Sequence, residues 1–173
     1  MMIRRARVSD AQGIAKVHVD SWITTYRNIV PDEYLDGLKY LEREKQWERN
    51  LQHSTAFVAE NEAGEVIGFA DGGKERSGDY PDIEGEVYSI YILKAYQGQG
   101  VGKLLMQAIS KELLDRDIQS MLVWVLKENQ SSGFYEKLGG KVIDEKHIKI
   151  AGKQIPELAY EWVDIDRIVN RDE

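Results

Sequence analysis

A strand, a glycine-rich turn and a helix follow one another in the middle of the chain, and this succession constrains the fold most. Residues 86–93 are apolar, β-branched and aromatic, as in a buried strand. Residues 100–115 carry apolar side chains at helical spacing, and residues 121–126 form a second apolar run. A helix that connects two such neighbouring strands makes them parallel, and the crossover is nearly always right-handed. The sequence therefore predicts a mixed α/β fold with a parallel strand pair.

Shorter elements surround this unit. The patterns predict strands at 2–6, 56–60, 65–72, 141–150 and 155–163, and helices after Ser9 and Asp10, at 31–52 and at 131–138. The polar segment 74–82 contains glycine and proline and predicts a loop that borders a substrate opening. Residues 164–173 are expected to fray. We interpret residues 1–173 as a single domain, since a chain of this length can bury a substantial core.

The composition excludes several kinds of site. The chain has no cysteine, which excludes disulfides, thiolate metal ligands and a cysteine nucleophile. His18, His53 and His147 lie far apart and lack metal-ligand spacing, so no metal is expected. A net charge of −7 without a basic stripe argues against nucleic acid as a partner. No apolar stretch is long enough for a membrane span or a signal peptide, so we expect no membrane partner and a cytoplasmic protein.

The turn at residues 97–103, of sequence QGQGVGK, has the properties of a phosphate-binding site. The unpaired N–H groups of a first helical turn attract a phosphate, glycines let the backbone approach it, and Lys103 adds charge. A Walker loop would need glycine at Gln97 and serine or threonine at Leu104. The dinucleotide fingerprint would need glycine at Lys103, or glycine or alanine at Leu105. Both are rejected, which leaves another phosphate loop or a turn without a ligand.

Gln97, Gly100 and Gly102 match the signature of the GNAT superfamily of N-acetyltransferases, which is Gln or Arg, two residues, Gly, one residue, and Gly or Ala. Residues 86–94 also resemble the fourth strand of that family, and residues 124–139 resemble its fifth strand and following helix. The order of elements agrees along nearly the whole chain. The resemblance implies a central, mixed, mostly antiparallel twisted sheet of about six to seven strands with about four helices packed on both faces. It also implies acetyl-CoA as the cosubstrate.

The same resemblance assigns cofactor-binding roles to individual residues. Backbone groups of Ile90 and Ile92 would pair with the pantetheine arm as an added strand does. Asn129 would contact that arm, and Tyr135 would contact its sulfur. The pyrophosphate would be held by the amides of Gln97, Gly98, Gln99, Gly100, Val101, Gly102 and Lys103. The chain departs from the family in a slightly short interval between Asn129 and Tyr135, and in Gly140, where phenylalanine is common.

Acetyl transfer to an amine needs a proton acceptor and a proton donor. Because a free amine has a pKa near ~10, we predict Glu86 as the general base, directly or through water, with Glu84 as a second choice. A solvated carboxylate at a strand end is the equal alternative for Glu86. Tyr135 is the predicted general acid, because a tyrosine of pKa near ~10 can protonate a thiolate of pKa near ~8.5 in contact with it. The alternative for Tyr135 is a packed aromatic beside Phe134.

Trp22, Tyr26 and Tyr34 lie on or between the first two predicted helices, where the resemblance implies an acceptor pocket. Simple core packing is the alternative for each. Nearby carboxylates at Asp32 and Asp36 would favour a cationic amine, and a polyamine acetyltransferase is the most similar specific enzyme.

We therefore predict an acetyl-CoA-dependent N-acetyltransferase that acts on a primary amine of a small molecule by direct attack on the thioester. Acetylation of a protein N-terminus or lysine, and a non-catalytic acetyl-CoA-binding module, are the alternatives. An exposed strand or helix edge could support a homodimer.

Overall fold

The computed structural model describes residues 1–171, and its centre is a seven-stranded sheet in the spatial order β1-β2-β3-β4-β5-β7-β6. Among these strands β4 and β5 run parallel, and every other neighbouring pair is antiparallel. The strands are β1 Met2–Arg5, β2 Thr55–Glu60, β3 Val66–Lys74, β4 Gly85–Ile92, β5 Met121–Leu126, β6 Lys141–Ile150 and β7 Lys153–Trp162. The predicted mixed, mostly antiparallel sheet is confirmed, and so is its parallel pair.

Helices cover both faces of this sheet. Residues 1–171 contain six α-helices: α1 Ala11–Tyr26, α2 Asp32–Asp36, α3 Tyr40–Asn50, α4 Val101–Leu114, α5 Ser132–Lys137 and α6 Asp166–Val169. On the side that we call the α4 face, Leu105 of α4 belongs to one buried cluster with Val87 of β4. On the opposite side, the α1 face, Ile14 of α1 belongs to a second cluster with Phe69 of β3. Two apolar layers therefore enclose the sheet.

The predicted helix over residues 31–52 is wrong, because the structure divides it into α2 and α3. Gly37 ends α2 with its N–H bonded to the carbonyl of Glu33, and the backbone of Lys39 is extended before α3 begins. The two helices bury their apolar side chains in different places. Leu35 of α2 packs in a cluster with Tyr26, whereas Trp47 of α3 packs against α1. The break allows both side chains to be buried.

The prediction that residues 164–173 fray is also wrong for the part that the structure describes. Ile165 and Ile168 are buried in the cluster beneath α4, and α6 forms around them. Ile165 donates its N–H to the carbonyl of Gln119, which ties the segment to the start of β5. The apolar side chains hold this last helix in place although it is very short. Residues 172 and 173 lie outside the described residues.

Candidate active site

The parallel pair β4 and β5 separates part of the way along its length. The pairing joins three residues of each strand, from Gly85 with Met121 to Val87 with Val123, and then ends. A cavity of about 1270 Å³ lies where the strands have parted. Its lining includes Ile90 and Ile92 from the α4 face and Ser89, Tyr91 and Trp124 from the α1 face. The cavity is thus bordered by residues from both sides of the sheet.

The glycine-rich turn forms the end of the cavity on the α4 face. Gly98 and Gly100 have φ of +74° and +83°, a region that side chains other than glycine rarely adopt. Gly100 is the N-cap of α4 and has no side-chain cap, so the first-turn N–H groups of this helix have no partner within it. A Cβ at Gly102 would come within 3.0 Å of the Phe134 ring. Glycine at these positions therefore shapes the turn and lets α4 and α5 pack closely.

Most of the residues predicted to bind the cofactor line this cavity. They are Ile90, Ile92, Gln97, Gly98, Gly100, Gly102, Lys103, Asn129 and Tyr135. The side-chain amide of Gln97 donates a hydrogen bond to the backbone carbonyl of Ile92 at 3.0 Å, and this bond fixes the start of the turn. Gln99 instead turns its side chain to the carbonyl of Ala95, and Val101 is buried in the core. The geometry therefore leaves these two residues only their backbone groups to offer a ligand.

Tyr135 and Asn129 close the cavity on the side of β5. Tyr135 is 5% exposed, and its ring packs against Tyr160 and Trp162. Burial, together with Tyr26 and Tyr160 nearby, holds the pKa of Tyr135 well above its usual value, so this hydroxyl stays protonated at neutral pH. Asn129 accepts the N–H of Ser131 at 2.9 Å, which fixes its orientation at the start of α5.

A β-bulge in β4 arranges the α1-face border of the cavity. Asp71 of β3 is opposite Ser89, but Gly72 is opposite Val87, so Tyr88 is an extra residue in β4. Side chains alternate between faces along a regular strand, and positions 86 and 89 would then lie on opposite faces. The extra residue resets the alternation and brings Glu86 and Ser89 to the same α1 face. Strand periodicity alone gives no sign of this shift.

Glu86 is buried and paired with an arginine. It is 4% exposed, and its carboxylate accepts the Arg76 guanidinium at 2.7 Å and the Arg76 backbone N–H at 3.2 Å. The guanidinium also lies 4.1 Å from the centre of the Tyr88 ring, which borders the cavity. Glu86 itself stands one layer behind that border. Its predicted role as general base remains a prediction.

Asp71 and Ser89 form a second polar pair on the same face, which the sequence analysis missed. The hydroxyl of Ser89 donates to Oδ1 of Asp71. Asp71 is 6% exposed, and Ser89 lines the cavity. Burial raises the pKa of Asp71 to about 6, against the lowering effect of the Ser89 hydroxyl and the Arg76 charge. A carboxylate in β3 and a serine eighteen residues later carry no recognisable motif, so only the strand register reveals the pair.

The three aromatic residues predicted to contact the acceptor occupy different depths. Tyr26 lines the cavity, and its hydroxyl lies 3.4 Å from that of Tyr91. Trp22 packs edge-on against Tyr26 with ring centroids 4.6 Å apart, and Tyr34 packs against Trp22. Trp22 and Tyr34 therefore stand behind Tyr26 in an apolar cluster. Their contact with an acceptor remains a prediction.

The carboxylates predicted to favour a cationic acceptor are already paired. Asp32 and Asp36 both accept the Arg27 guanidinium, at 3.0 and 3.2 Å, on the exposed surface where α1 leads into α2. Arg27 also lines the cavity. The net charge at this rim is therefore smaller than the two carboxylates alone suggest.

Metal ligands do not gather anywhere in the described part of the chain: among residues 1–171, no three His, Asp or Glu side chains lie where they could hold a metal ion. His18 accepts the indole N–H of Trp47 at 3.0 Å and stacks on Tyr91. Burial, with the nearby Arg43 charge, lowers the pKa of His18 to about 3, so this histidine is a neutral packing residue. No helix within residues 1–171 has the length and apolar character needed to cross a membrane.

Comparisons with known proteins show the family of this chain. The profile of the Acetyltransferase (GNAT) family matches residues 19–140. The "Uncharacterized N-acetyltransferase YuaI" of Bacillus subtilis is 40% identical over 167 residues, which cover 96% of this chain and 95% of that protein. The L-methionine sulfoximine/L-methionine sulfone acetyltransferase of Pseudomonas aeruginosa is 27% identical over 170 residues, or 94% and 90% of the two chains.

A solved structure extends the likeness to the fold. The structure of yncA from Salmonella typhimurium, determined with its cofactor acetyl-CoA, superposes with a TM-score of 0.71 at 22% identity. The superposition covers 100% of this chain and 96% of that one. The seven-stranded sheet and its flanking helices therefore share the fold of that protein.

Proposed function

This chain belongs to the GNAT family of acetyltransferases and is an N-acetyltransferase that takes its acetyl group from acetyl-CoA, and we propose that its acceptor is the primary amine of a small molecule. The observation that carries this proposal is the cavity between β4 and β5, which is bordered from both faces of the sheet. A donor bound from the α4 face and an acceptor bound from the α1 face would meet there. The amine would then attack the thioester directly.

The residues on the α4 face fit acetyl-CoA. The unpartnered N–H groups at the start of α4, with the positive end of the helix dipole, suit a pyrophosphate. Beyond Val87 the edge of β4 that faces β5 has no strand partner among residues 1–171, so backbone groups of Ile90 and Ile92 can pair with the pantetheine arm. Bound acetyl-CoA supplies the activated carbonyl, and Asn129 would orient the arm that carries it.

We propose Tyr135 as the group that donates a proton to the departing sulfur. A tyrosine of raised pKa remains protonated and can donate throughout the neutral range. Desolvation also disfavours a thiolate bound beside it, which favours transfer of the proton to the sulfur. No cysteine is present to form an acyl-enzyme, which supports direct transfer between the two bound substrates.

Glu86 is our candidate for the group that accepts the amine proton. It lies on the α1 face, three residues before Ser89, and the bulge turns both toward the acceptor side. Because Arg76 occupies its carboxylate, proton transfer to Glu86 would pass through a water molecule. Glu86→Gln should change the pH dependence of turnover, and Glu84→Gln, at the exposed second candidate, tests the alternative base. An unchanged pH profile in Glu86→Gln would remove this role.

The acceptor side of the cavity favours a small molecule. It is bordered by the last turn of α1 and the segment after it, including Thr25 and Tyr26, and by Tyr88 and Trp124 of the sheet. Such a partly aromatic, concave site suits a compact amine. The relative of 27% identity that acts on an amino-acid derivative supports the same conclusion.

The direct test is a screen of acceptors with acetyl-CoA, followed by thiol release and by mass spectrometry of the product. Amino-acid derivatives, polyamines and peptides with a free N-terminus or lysine should be compared at equal concentration. The proposal predicts that a small primary amine has the highest kcat/KM. A peptide as the best acceptor, or acetyl-CoA binding without any transfer, would contradict it.

A further inference from the structure

Ser89 lies next to the bulge in β4 and borders the cavity. Among the bulge residues of the described chain, it alone also donates a hydrogen bond to a buried carboxylate. A serine hydroxyl has one proton to donate and two lone pairs to accept with. Its proton is directed to Asp71, which sits opposite in β3. The lone pairs are what remain for a molecule in the cavity. Ser89 is therefore arranged to accept a hydrogen bond rather than to give one.

Asp71 fixes this orientation because it is anionic and buried. A charged acceptor makes the stronger hydrogen bond, so the hydroxyl keeps its proton on the carboxylate. The groups with charge or titratable protons around Asp71 are Arg76, Glu86 and Tyr88. Arg76 is itself paired with Glu86. Unlike Glu86, Asp71 is linked to the cavity through a hydroxyl.

Ser21 of α1 is a second polar residue in the wall of this cavity. It is 1% exposed and lines the same cavity, yet its hydroxyl has no hydrogen-bond partner within residues 1–171. Buried hydroxyls are nearly always paired, because an unpaired one loses its bonds to water without replacement. A ligand that carries N–H or C=O groups would supply the missing partner.

We propose that Ser89, oriented by Asp71, binds the N–H of the acceptor amine, and that Ser21 completes this acceptor subsite from the α1 side. This inference rests on the proposed function and adds the contact that selects the amine. Ser89 touches the substrate, whereas Asp71 is a positioning residue that acts through Ser89. An amine or ammonium offers donors to the fixed lone pairs of Ser89. An alcohol of the same shape can also donate, but it lacks the positive charge that the nearby Asp71 favours.

The decisive experiment measures the acceptor KM and kcat of four variants with the best small amine found in the screen. Ser89→Ala should raise the acceptor KM about tenfold, in keeping with the loss of a hydrogen bond to a cationic group. Ser89→Thr keeps a hydroxyl, so its acceptor KM should stay close to that of the wild-type protein. Asp71→Asn should weaken the acceptor as well, because an amide can donate and so frees the hydroxyl to rotate. Asp71→Asn combined with Ser89→Ala should be no worse than Ser89→Ala alone, since Asp71 acts through Ser89.

Ser21 has a matched control in Ser110 of α4, which is also fully buried with an unpartnered hydroxyl but does not line the cavity. Ser21→Ala should raise the acceptor KM, and Ser110→Ala should not. The acetyl-CoA dissociation constant and the unfolding temperature, measured for every variant, separate an acceptor effect from misfolding. If wild-type protein transfers no acetyl group to small amines, the proposed function fails. If wild-type protein does acetylate small amines but Ser89→Ala keeps the wild-type acceptor KM, this inference is overturned. It is also overturned if the effects of Asp71→Asn and Ser89→Ala on the acceptor KM add fully in the double variant.

Discussion

The two sides of the cavity are built in different ways. The α4 side comes from one continuous stretch, residues 97–103, and offers mainly backbone groups whose geometry depends on glycines. The α1 side is assembled from side chains of α1, β3, β4 and the loop after β3, including Tyr26, Asp71 and Arg76. A site made from backbone constrains the local sequence. A site made from distant side chains constrains only the fold that brings them together.

In the function that we propose, the α4 side binds acetyl-CoA through backbone groups and the α1 side binds the acceptor through side chains. Backbone amides recognise phosphate in the same way whatever the neighbouring side chains are. The acceptor contacts, by contrast, can be exchanged residue by residue without disturbing the sheet. Changes on the α4 side should therefore alter acetyl-CoA binding, and changes on the α1 side should alter the use of the acceptor.

The largest effect is expected at Tyr135, where the two sides meet. Tyr135→Phe removes only the hydroxyl, so turnover should fall about 10²–10⁴-fold, the usual contribution of a positioned proton donor. Acetyl-CoA binding should hardly change. Tyr160→Phe is the matched control, because Tyr160 packs against Tyr135 but lies outside the cavity lining. Steady-state rates and calorimetric titration of acetyl-CoA distinguish the two variants, and full turnover in Tyr135→Phe would refute the acid role.

The buried charge at Asp71 should cost stability on the α1 side. Its pKa is about 6 in the folded protein against an ordinary value of 3.8. The folded state thus holds the proton more tightly than the unfolded state does. The free energy of unfolding therefore falls as the pH rises from below 3.8 to above about 6, by about 3 kcal/mol in total. The Asp71→Asn variant has no carboxylate at this position and should not lose stability in this way as the pH rises. Urea unfolding should show the stability advantage of the variant growing by about 1 kcal/mol between pH 5 and 7.5; an advantage independent of pH would contradict this.

Gly100 tests the backbone of the α4 side without adding a clash. A Cβ there would meet nothing within 4 Å, but the φ of +83° would cost a side-chain-bearing residue about 1–2 kcal/mol. Gly100→Ala should therefore lower acetyl-CoA affinity about tenfold as the turn relaxes. Gly64 in the β2–β3 turn has the same φ sign and the same open space. Gly64→Ala should lose similar stability and keep its acetyl-CoA affinity. An equal loss of acetyl-CoA affinity in both variants would contradict a specific role of the 97–103 turn in acetyl-CoA binding.

The smallest effects are expected behind the α1 border. Trp22→Phe and Tyr34→Phe change residues that pack behind Tyr26, so each should cost about 1 kcal/mol of stability and change the acceptor KM only a little. Tyr26→Phe, at the cavity surface, should change the acceptor KM more than either. Comparison of the three KM values decides which aromatic residues contact the acceptor. An equal rise in all three would extend the acceptor site to the deeper pair.

The sequence predicts much of the fold because strand and helix periods are local properties. It predicts the parallel pair and the glycine turn for the same reason, since Gly98 and Gly100 adopt the positive φ that glycines favour. The division of residues 31–52 into two helices depends on where Leu35 and Trp47 find space, which is a tertiary matter.

The α1 side of the site could not be predicted in the same way. The hydrogen bond between Ser89 and Asp71 and the ion pair between Arg76 and Glu86 depend on strand register and on one extra residue in β4. Neither pair has a characteristic spacing along the chain. Such contacts become visible only when the strands are placed side by side.

We propose that donor and acceptor occupy the two sides of one cavity together, so that the amine attacks the thioester without a covalent enzyme intermediate. Initial rates should be measured over a grid of acetyl-CoA and amine concentrations with the wild-type protein. The double-reciprocal lines should intersect, because both substrates must be bound before transfer. Parallel lines, the mark of a ping-pong reaction through an acetylated enzyme, would contradict it.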